Sequence, residues 1–572
     1  MSQPVSPASG FEHYITAAGG MLMDGDAPYR FISFNVPNLN YIEDDMRFRQ
    51  ANPYRLPDEF EMRDVFATIR EMGGRALRIY TIPVRSETFP ADAPSYVLAP
   101  GQFSEEAFCC LDKMMALAGE YGVRIILPLV NNWQWMGGRQ SYAAFRGRDP
   151  DDFWSDVQII DDFKATIRFL IERTNTVTGQ KYRDDKAVLC WETGNELFAP
   201  FEWTVEIARF IKSLDPNHLV MDGGRADFSN LRPSVLPAIL DEPAIDIVTT
   251  HHYETDPALI PQHIENNIRL IAGRKAYLIG EFGFAAAPTI LSVLDRVIAR
   301  PAGVSGALIW CLRFRNREGG FYWHSEPFGG IYKALHWPGF PSGQSYDEAR
   351  MMMTVRRKAY EIQNVPTPPI SVAAAPLLLP IETPTAISWQ GTMGATSYVV
   401  ERAQNPDGPW DRVGPNVGDG DVPYFPLFND TTVRVGSCYY YRVFAVNSAG
   451  VSAPSNVVGP VEARYKAKID CMKNLDEVVY SCMITPVTGS DRSFKEIRNR
   501  ISGQKGSELV YSVPGRFREF QLYAFEQFDD VGLTVLGSLD GNSWQDLSVL
   551  PESFSSAETN YDYWRPKLYR YG

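Results

Sequence analysis

Between residues 11 and 363, short apolar runs alternate with longer stretches whose apolar positions recur every three to four residues. That rhythm predicts strands alternating with amphipathic helices. FISFNV at 31–36 reads as the first strand. Asp58-x-x-Glu61 then supplies a capping-box pattern, followed by Phe60, Val65, Phe66, Ile69 and Met72 at helical spacing. Gly73 and Gly74 stop that helix before a second strand, ALRIYTI at 76–82. Further helical runs precede strands at 123–130, 187–191, 218–221, 276–279 and 306–310, and IDIVTT at 245–250 follows a loop. A last helix is expected over 346–363.

Eight strands separated by helices, with few hairpin signals, point to parallel pairing, because parallel neighbours need a crossover connection. The fold class is therefore α/β, a (β/α)8 TIM barrel over residues 11–363. The competing architecture, an open doubly wound sheet, usually carries a Gly-rich phosphate turn after an early strand. None follows FISFNV or ALRIYTI.

Residues 364–380, with PTPP and AAAPLLLP, read as an extended Pro-rich linker. Beyond it the apolar period changes from helical to alternating, as in SYVVERA and GSCYYYRVFAVNSAG. Two small all-β sandwich domains are expected, at 381–462 and 465–572. The first resembles a fibronectin type III domain through Tyr398-x-x-Glu401-Arg402, Tyr439 to Val443 and Asn447-Ser448-Ala449-Gly450. The second is similar, through its SLDGNSW turn, to discoidin-like or carbohydrate-binding jelly rolls.

Composition excludes some functions. The 572 residues carry a net charge of −14 without a basic cluster, a poor match to a nucleic acid, whose phosphates must be neutralised. No apolar run approaches the ~20 residues that span a bilayer. The seven cysteines contain no C-x-x-C pair; most read as buried thiols, with a Cys471–Cys482 bridge left open. Met-Ser-Gln-Pro-Val-Ser-Pro at the start has no secretory-signal pattern. The domain set suggests a secreted or periplasmic protein, and a cytoplasmic one is not excluded.

In a barrel the chemistry sits at the C-terminal ends of the strands. There the sequence places Arg78 on the second strand, Asn131-Asn132-Trp133 after the third and Trp191-Glu192-Thr193-Gly194-Asn195-Glu196 after the fourth. His251-His252-Tyr253 follows the sixth, Glu281 the seventh and Trp310 the eighth. Strands four and seven are far apart in sequence, so only a closed barrel brings Glu196 and Glu281 together. Two such carboxylates are what glycoside hydrolysis needs, one as proton donor and one as nucleophile or base. Glu192, alternating with Cys190 on the strand, reads instead as a structural ion pair with an arginine. H-E-x-x-H, G-x-S-x-G and P-loop patterns are missing from the sequence, and no metal or cofactor is expected.

Over about residues 20–360 these motifs resemble glycoside hydrolase family 5, whose members use glutamates on strands four and seven. The resemblance implies Glu196 as general acid/base and Glu281 as nucleophile. It implies substrate-site roles for Arg78, beside the nucleophile, for Asn195, on the sugar 2-hydroxyl, and for His251 and Tyr253 of the His-x-Tyr motif. Trp310 is implied as the platform under the sugar at the cleavage point. A strand-three histidine found in many members has no counterpart. Asn131-Asn132-Trp133, Gly137-Gly138, Tyr142 and WETGNE instead look like the β-mannanase branch. Asn132, Trp133 and Trp323 join the expected substrate-binding set as loop residues on the catalytic face, and indoles there suit stacking against sugar C–H faces.

The expected partner is a polysaccharide or oligosaccharide, mannan before glucan. The alternatives are another β-glycosidase of the same clan or a carbohydrate-binding protein without turnover. Transglycosylation uses the same residues.

Overall fold

The computed structural model describes residues 10–47, 50–89, 91, 93–224, 235–254, 256–322, 335–339, 348–420, 426–488, 499–515, 517–526, 532–553 and 565–572. Among these, eight parallel strands follow one another in a single sheet. They are β1 (Phe31–Phe34), β2 (Ala76–Arg78), β3 (Arg124–Pro128), β4 (Val188–Glu192), β5 (Leu219–Met221), β6 (Ile247–His252), β7 (Ala276–Phe282) and β8 (Gly306–Ile309). β8 returns to pair with β1, and the ring closes between β1 and β2 through a parallel bridge from Asn35 to Arg78. The architecture is a nearly closed (β/α)8 barrel.

The helices between the strands are α1 (Glu59–Glu71), α2 (Glu105–Tyr121), the short α3 (Gly138–Ala144), α4 (Val157–Glu172), α5 (Phe201–Leu214), α6 (Ile260–Ile271) and α7 (Ala287–Ile298). α8 (Glu348–Glu361) follows β8. Local chemistry fixes their ends. Asp58 accepts the backbone N–H of Glu61 while Glu61 reaches back to the N–H of Asp58, the expected capping box of α1. Ser104 caps α2, and Gly122 ends it with a left-handed φ of 68°.

The sequence pattern gave no hint of what precedes the barrel. Ile15–Ala18, Met21–Asp24 and Ala27–Pro28 form a three-stranded antiparallel sheet. Its Ile15 and Leu22 lie in one buried cluster with Tyr29, Phe31, Ala76, Ala276 and other interior residues of the strands. Apolar surface at the N-terminal mouth is thus removed from water, leaving the C-terminal mouth for chemistry.

Strand ends differ from the sequence reading where the site begins. β2 leaves the ladder at Arg78 instead of continuing to Ile82, whereas β6 and β7 stay paired past their apolar runs, with His251 opposite Glu281.

By contacts the chain falls into two compact units, with main bodies Tyr54–Phe314 and Ser371–Gly572. In the second, Ser397–Ala403 pairs antiparallel with Asp411–Val417 and with Cys438–Asn447. Burial alternates along Cys438–Asn447, whose inward residues pack with Trp389, Tyr398 and Val400. Part of the expected linker is strand: Leu377–Leu378 pairs with Trp389–Gln390. Farther on, Tyr480–Thr488 pairs with Asn499–Val510, and Arg565–Tyr571 lies between Phe520–Glu526 and Pro551–Ser553. No disulfide joins Cys471 to Cys482, and the burial expected of most cysteines holds only for Cys110, Cys190 and Cys311: Cys109, Cys471 and Cys482 are half-buried and Cys438 is exposed.

Candidate active site

Arg78 ends β2 fully buried, and each of its donors meets an acceptor. Nε and Nη2 clasp the two oxygens of Glu192 at 2.7 and 3.0 Å. Nη1 donates to Glu281 at 2.7 Å and to Asn35 at 3.1 Å, and Nη2 also donates to Asn195 at 2.8 Å. A guanidinium carries five N–H donors in a fixed fork, and all five are engaged here. Burial works against the charge of Arg78, and Glu192 and Glu281 more than offset it, raising its pKa. Two carboxylates around one guanidinium make the desolvated group tolerable. The arginine expected to partner Glu192 is therefore Arg78 itself.

Glu281, near the end of β7, is held from three sides. Arg78 meets one oxygen; the Tyr253 hydroxyl donates to the other at 2.7 Å, and His251 Nδ1 lies 3.4 Å from that second oxygen. Burial pushes the Glu281 carboxyl up from the ordinary carboxylate range, and His251, Arg78 and Tyr253 work against that shift.

Glu196 leaves β4 in a left-handed backbone conformation, φ 53°. A non-glycine residue is rarely found there, and such strain concentrates at functional sites. His251 Nδ1 reaches one of its oxygens at 3.0 Å and Trp133 Nε1 donates to the other at 2.5 Å. An oxygen of Glu196 and an oxygen of Glu281 lie within 4.8 Å of one another, with His251 Nδ1 3.0 Å from the first residue's carboxylate and 3.4 Å from the second's.

Burial holds His251 at a pKa of about 3, so its ring is neutral at ordinary pH. Facing two carboxylate oxygens, Nδ1 is assigned the proton. The ring's other edge packs against Gly280, where a Cβ would stand 2.9 Å from Nε2 and 2.4 Å from Thr249 Oγ1. A side chain at 280 would push His251 off its place.

Asn195 is locked among polar neighbours. Its carbonyl accepts from Arg78, and its amide donates to Tyr80 Oη at 2.9 Å and Asn131 Oδ1 at 3.0 Å. Asn132 does not join this ring: it is buried and its Oδ1 accepts from Arg139 at 3.2 Å. Asn131 takes that place, because the bridge between Asn131 and Asn195 sets which of the two side chains faces inward.

Trp133 is 40% exposed and edge-on to the exposed Phe198. Gly138 permits this loop: φ is 55°, and a Cβ would collide with the Trp133 carbonyl at 2.0 Å. Trp310 is nearly buried, edge-on to Tyr80 and Trp135 at centroid distances of 5.8 and 6.3 Å. Tyr142 lies away from the carboxylates in an aromatic cluster with Phe145, Phe153 and Phe163, its hydroxyl on Thr166. Trp323 lies outside the described residues.

Sequence reasoning missed Asn35 and Tyr80, and it placed Asn131 and Trp135 on the catalytic face without giving Asn131 the place beside Asn195. Asn35 and Tyr80 were hidden inside runs read as continuous strand. Counting by two from Arg78 gives Tyr80 the same facing, a signal available in the sequence.

Among the described residues, two sets of three are close enough to ligate a cation: Glu196–His251–Glu281 and His252–Glu254–His263. In the first, a cation would compete with Arg78, which already neutralises Glu281.

Residues 13–268 match a family model described as glycoside hydrolase family 5 β-mannosidase-like, a span that ends before β7. A mannan endo-1,4-β-mannosidase 7 of Oryza sativa subsp. japonica is 33% identical over 198 residues, covering 30% of this chain and 52% of the relative. Mannan endo-1,4-β-mannosidase 1 of Arabidopsis thaliana is 34% identical over 135 residues, 22% and 33% of the respective chains. The chain spans about half the length, or less, of these curated relatives. Among solved structures, an endo-1,4-β-mannanase from Rhizomucor miehei is 19% identical with a TM-score of 0.49, covering 61% of this chain and 99% of that one. Over residues 13–268 the chain thus resembles glycoside hydrolase family 5 β-mannosidase-like proteins.

Proposed function

We propose that the barrel is a retaining β-glycoside hydrolase acting on β-linked mannan or manno-oligosaccharides. The observation that carries this reading is the separation of the two glutamates, whose oxygens approach within 4.8 Å. Retaining enzymes hold their carboxyl groups about 5–5.5 Å apart, and inverting ones leave room for a water at about 6.5–9.5 Å.

In this reading Glu281 attacks the anomeric carbon while protonated Glu196 gives its proton to the departing glycosidic oxygen. The C–O bond to the leaving sugar breaks as the ester to Glu281 forms. Glu196, now a carboxylate, takes a proton from water; the resulting oxygen attacks the anomeric carbon and releases Glu281. Arg78 and Tyr253 hold the nucleophile's charge in a dry setting where such bonds are strong. The ester removes a negative charge beside Glu196, which favours its ionised form for the second step. Trp133 and Phe198 offer exposed ring faces beside the proton donor, suited to a leaving sugar. The curated relatives named as mannan endo-1,4-β-mannosidases support mannan over glucan. We read residues 381–462 as a fibronectin type III-like module, supported by the alternating burial of its strands.

The test is product analysis of the full chain on β-1,4-mannan, manno-oligosaccharides and β-1,4-glucan, with Glu281→Ala as control. Mannan cleavage with retained anomeric configuration, abolished in the variant, is expected. Cleavage of glucan alone would sink the substrate reading, and an inverted product would sink the mechanism.

A further inference from the structure

The end of β6 has two faces, and only one belongs to the site above. His251 and Tyr253 point to the catalytic carboxylates, as successive side chains of a strand alternate. Thr250, His252 and Glu254 make their bonds elsewhere. His252 Nδ1 lies 2.9 Å from Glu254 Oε1, and His263 Nδ1, from α6, lies 2.6 Å from that same oxygen. His252 Nε2 pairs with Thr250 Oγ1 at 2.9 Å, and Thr250 pairs with the Tyr277 hydroxyl at 2.6 Å. Asn267 Nδ2 approaches that hydroxyl at 3.5 Å. His263 and Asn267 are four residues apart on α6, hence on one helix face. This helix face bonds the segment directly at Glu254 and reaches Thr250, at the other end of the run, only through Tyr277 of β7.

All three members of the triad are buried: His252 0%, Glu254 4% and His263 1% exposed. A buried carboxylate is costly unless it is paired and hydrogen-bonded, and two imidazoles supply the pairing. The register between β6 and β7 shifts between Thr250 and His251 and pairing resumes at His251 and His252, the last paired residues of β6. The triad adds a second set of bonds just where the ladder ends.

We infer that Glu254 and His263, acting through His252, are positioning residues that set His251 and Tyr253 against Glu196 and Glu281. The catalytic consequence rests on the proposed glycosidase reading, whereas the geometric one does not. A displacement of about 1 Å at the reacting groups can cost up to ~100-fold in rate.

The experiment uses the full chain and its variants His263→Leu, His263→Asn and Glu254→Gln. Asparagine keeps an N–H donor near the place of Nδ1, and leucine removes it. For His263→Leu, kcat on the cleaved glycan is expected to fall about tenfold with KM within about twofold, and His263→Asn should recover most of the loss. The second readout is the imidazole 15N–1H spectrum of histidine-labelled protein, which holds only seven histidines. The His251 resonance should move in His263→Leu and Glu254→Gln and return toward wild type in His263→Asn. A folded His263→Leu protein with unchanged kcat, or an unmoved His251 resonance, overturns the inference. So does a stoichiometric divalent metal whose chelation moves the His252 and His263 signals, since that would make the triad a metal site. If wild type cleaves no tested glycan, the functional reading fails alone and the spectrum still decides the clamp.

Discussion

The two glutamates are held in opposite ways. Glu281 lies within β7, 3% exposed, with charged, phenolic and imidazole partners carried on or just beyond barrel strands. Glu196 sits beyond its strand on a left-handed residue, and one of its partners, Trp133, is a 40%-exposed loop side chain. In the proposed reading the nucleophile needs one direction of attack and must be ionised at the moment it attacks. A proton shuttle must change charge twice and meet leaving groups and water in turn. The inner site is over-determined and the rim is adaptable, and His251 touches both.

The comparison breaks most severely at Arg78. Lysine at 78 keeps a charge but offers three donors from one point, where the native fork fills five acceptors on four side chains. Arg78→Lys is expected to lower kcat/KM by about 10³-fold, the scale of losing a preorganised donor at a charge centre. It should also destabilise the fold by about 3 kcal/mol, because Glu192 is left buried and poorly paired. Steady-state kinetics and denaturant unfolding measure the two losses. Near-native activity would show that a charge, and not a fork, is what the nucleophile side requires.

Tyr253→Phe is a milder test of the same side. A hydrogen bond to a charged group contributes about 1.5–3 kcal/mol, so a loss of about 10- to 100-fold in kcat is expected. The sign of the pH effect follows from the bond. The hydroxyl donates to ionised Glu281 and pulls its pKa down against burial. Without it that pKa rises further, and the acid limb of the kcat/KM profile moves to higher pH. A limb that stays in place would mean that Tyr253 does not bond the working carboxylate.

Much of the over-determined side was legible in sequence. Strand-end position identified Arg78, Glu192, Glu281, His251 and Tyr253, because a barrel's geometry is dictated by chain order and period. The rim was less so. Asn131 and Asn132 are adjacent and chemically identical, and only the bridge to Asn195 decides between them. Tyr80 and Asn35 escaped because an apolar run does not mark where pairing stops. The sheet at 15–28 escaped because its strands run only two to four residues, too short for a period to show, and they acquire meaning only once the barrel mouth needs covering. The bond from His263 to Glu254 is invisible to any local pattern, since it joins a helix to a strand end nine residues earlier.

The smallest expected effect lies on the adaptable side, at Trp133. Phenylalanine keeps an exposed ring beside Phe198 but removes the N–H that meets Glu196. A bond of neutral strength at a partly exposed residue contributes about 0.5–1.5 kcal/mol, which predicts a loss of about three- to tenfold on mannan. The loss should depend on the leaving group. Departure of a sugar needs the proton of Glu196, whereas a nitrophenolate leaves without much help. Activity of Trp133→Phe on a nitrophenyl β-mannoside should therefore stay within about twofold of wild type. Tyr253→Phe, acting on the nucleophile, should lose activity on both substrates. Equal losses for the two variants on the two substrates would erase the distinction between a fixed and an adaptable glutamate.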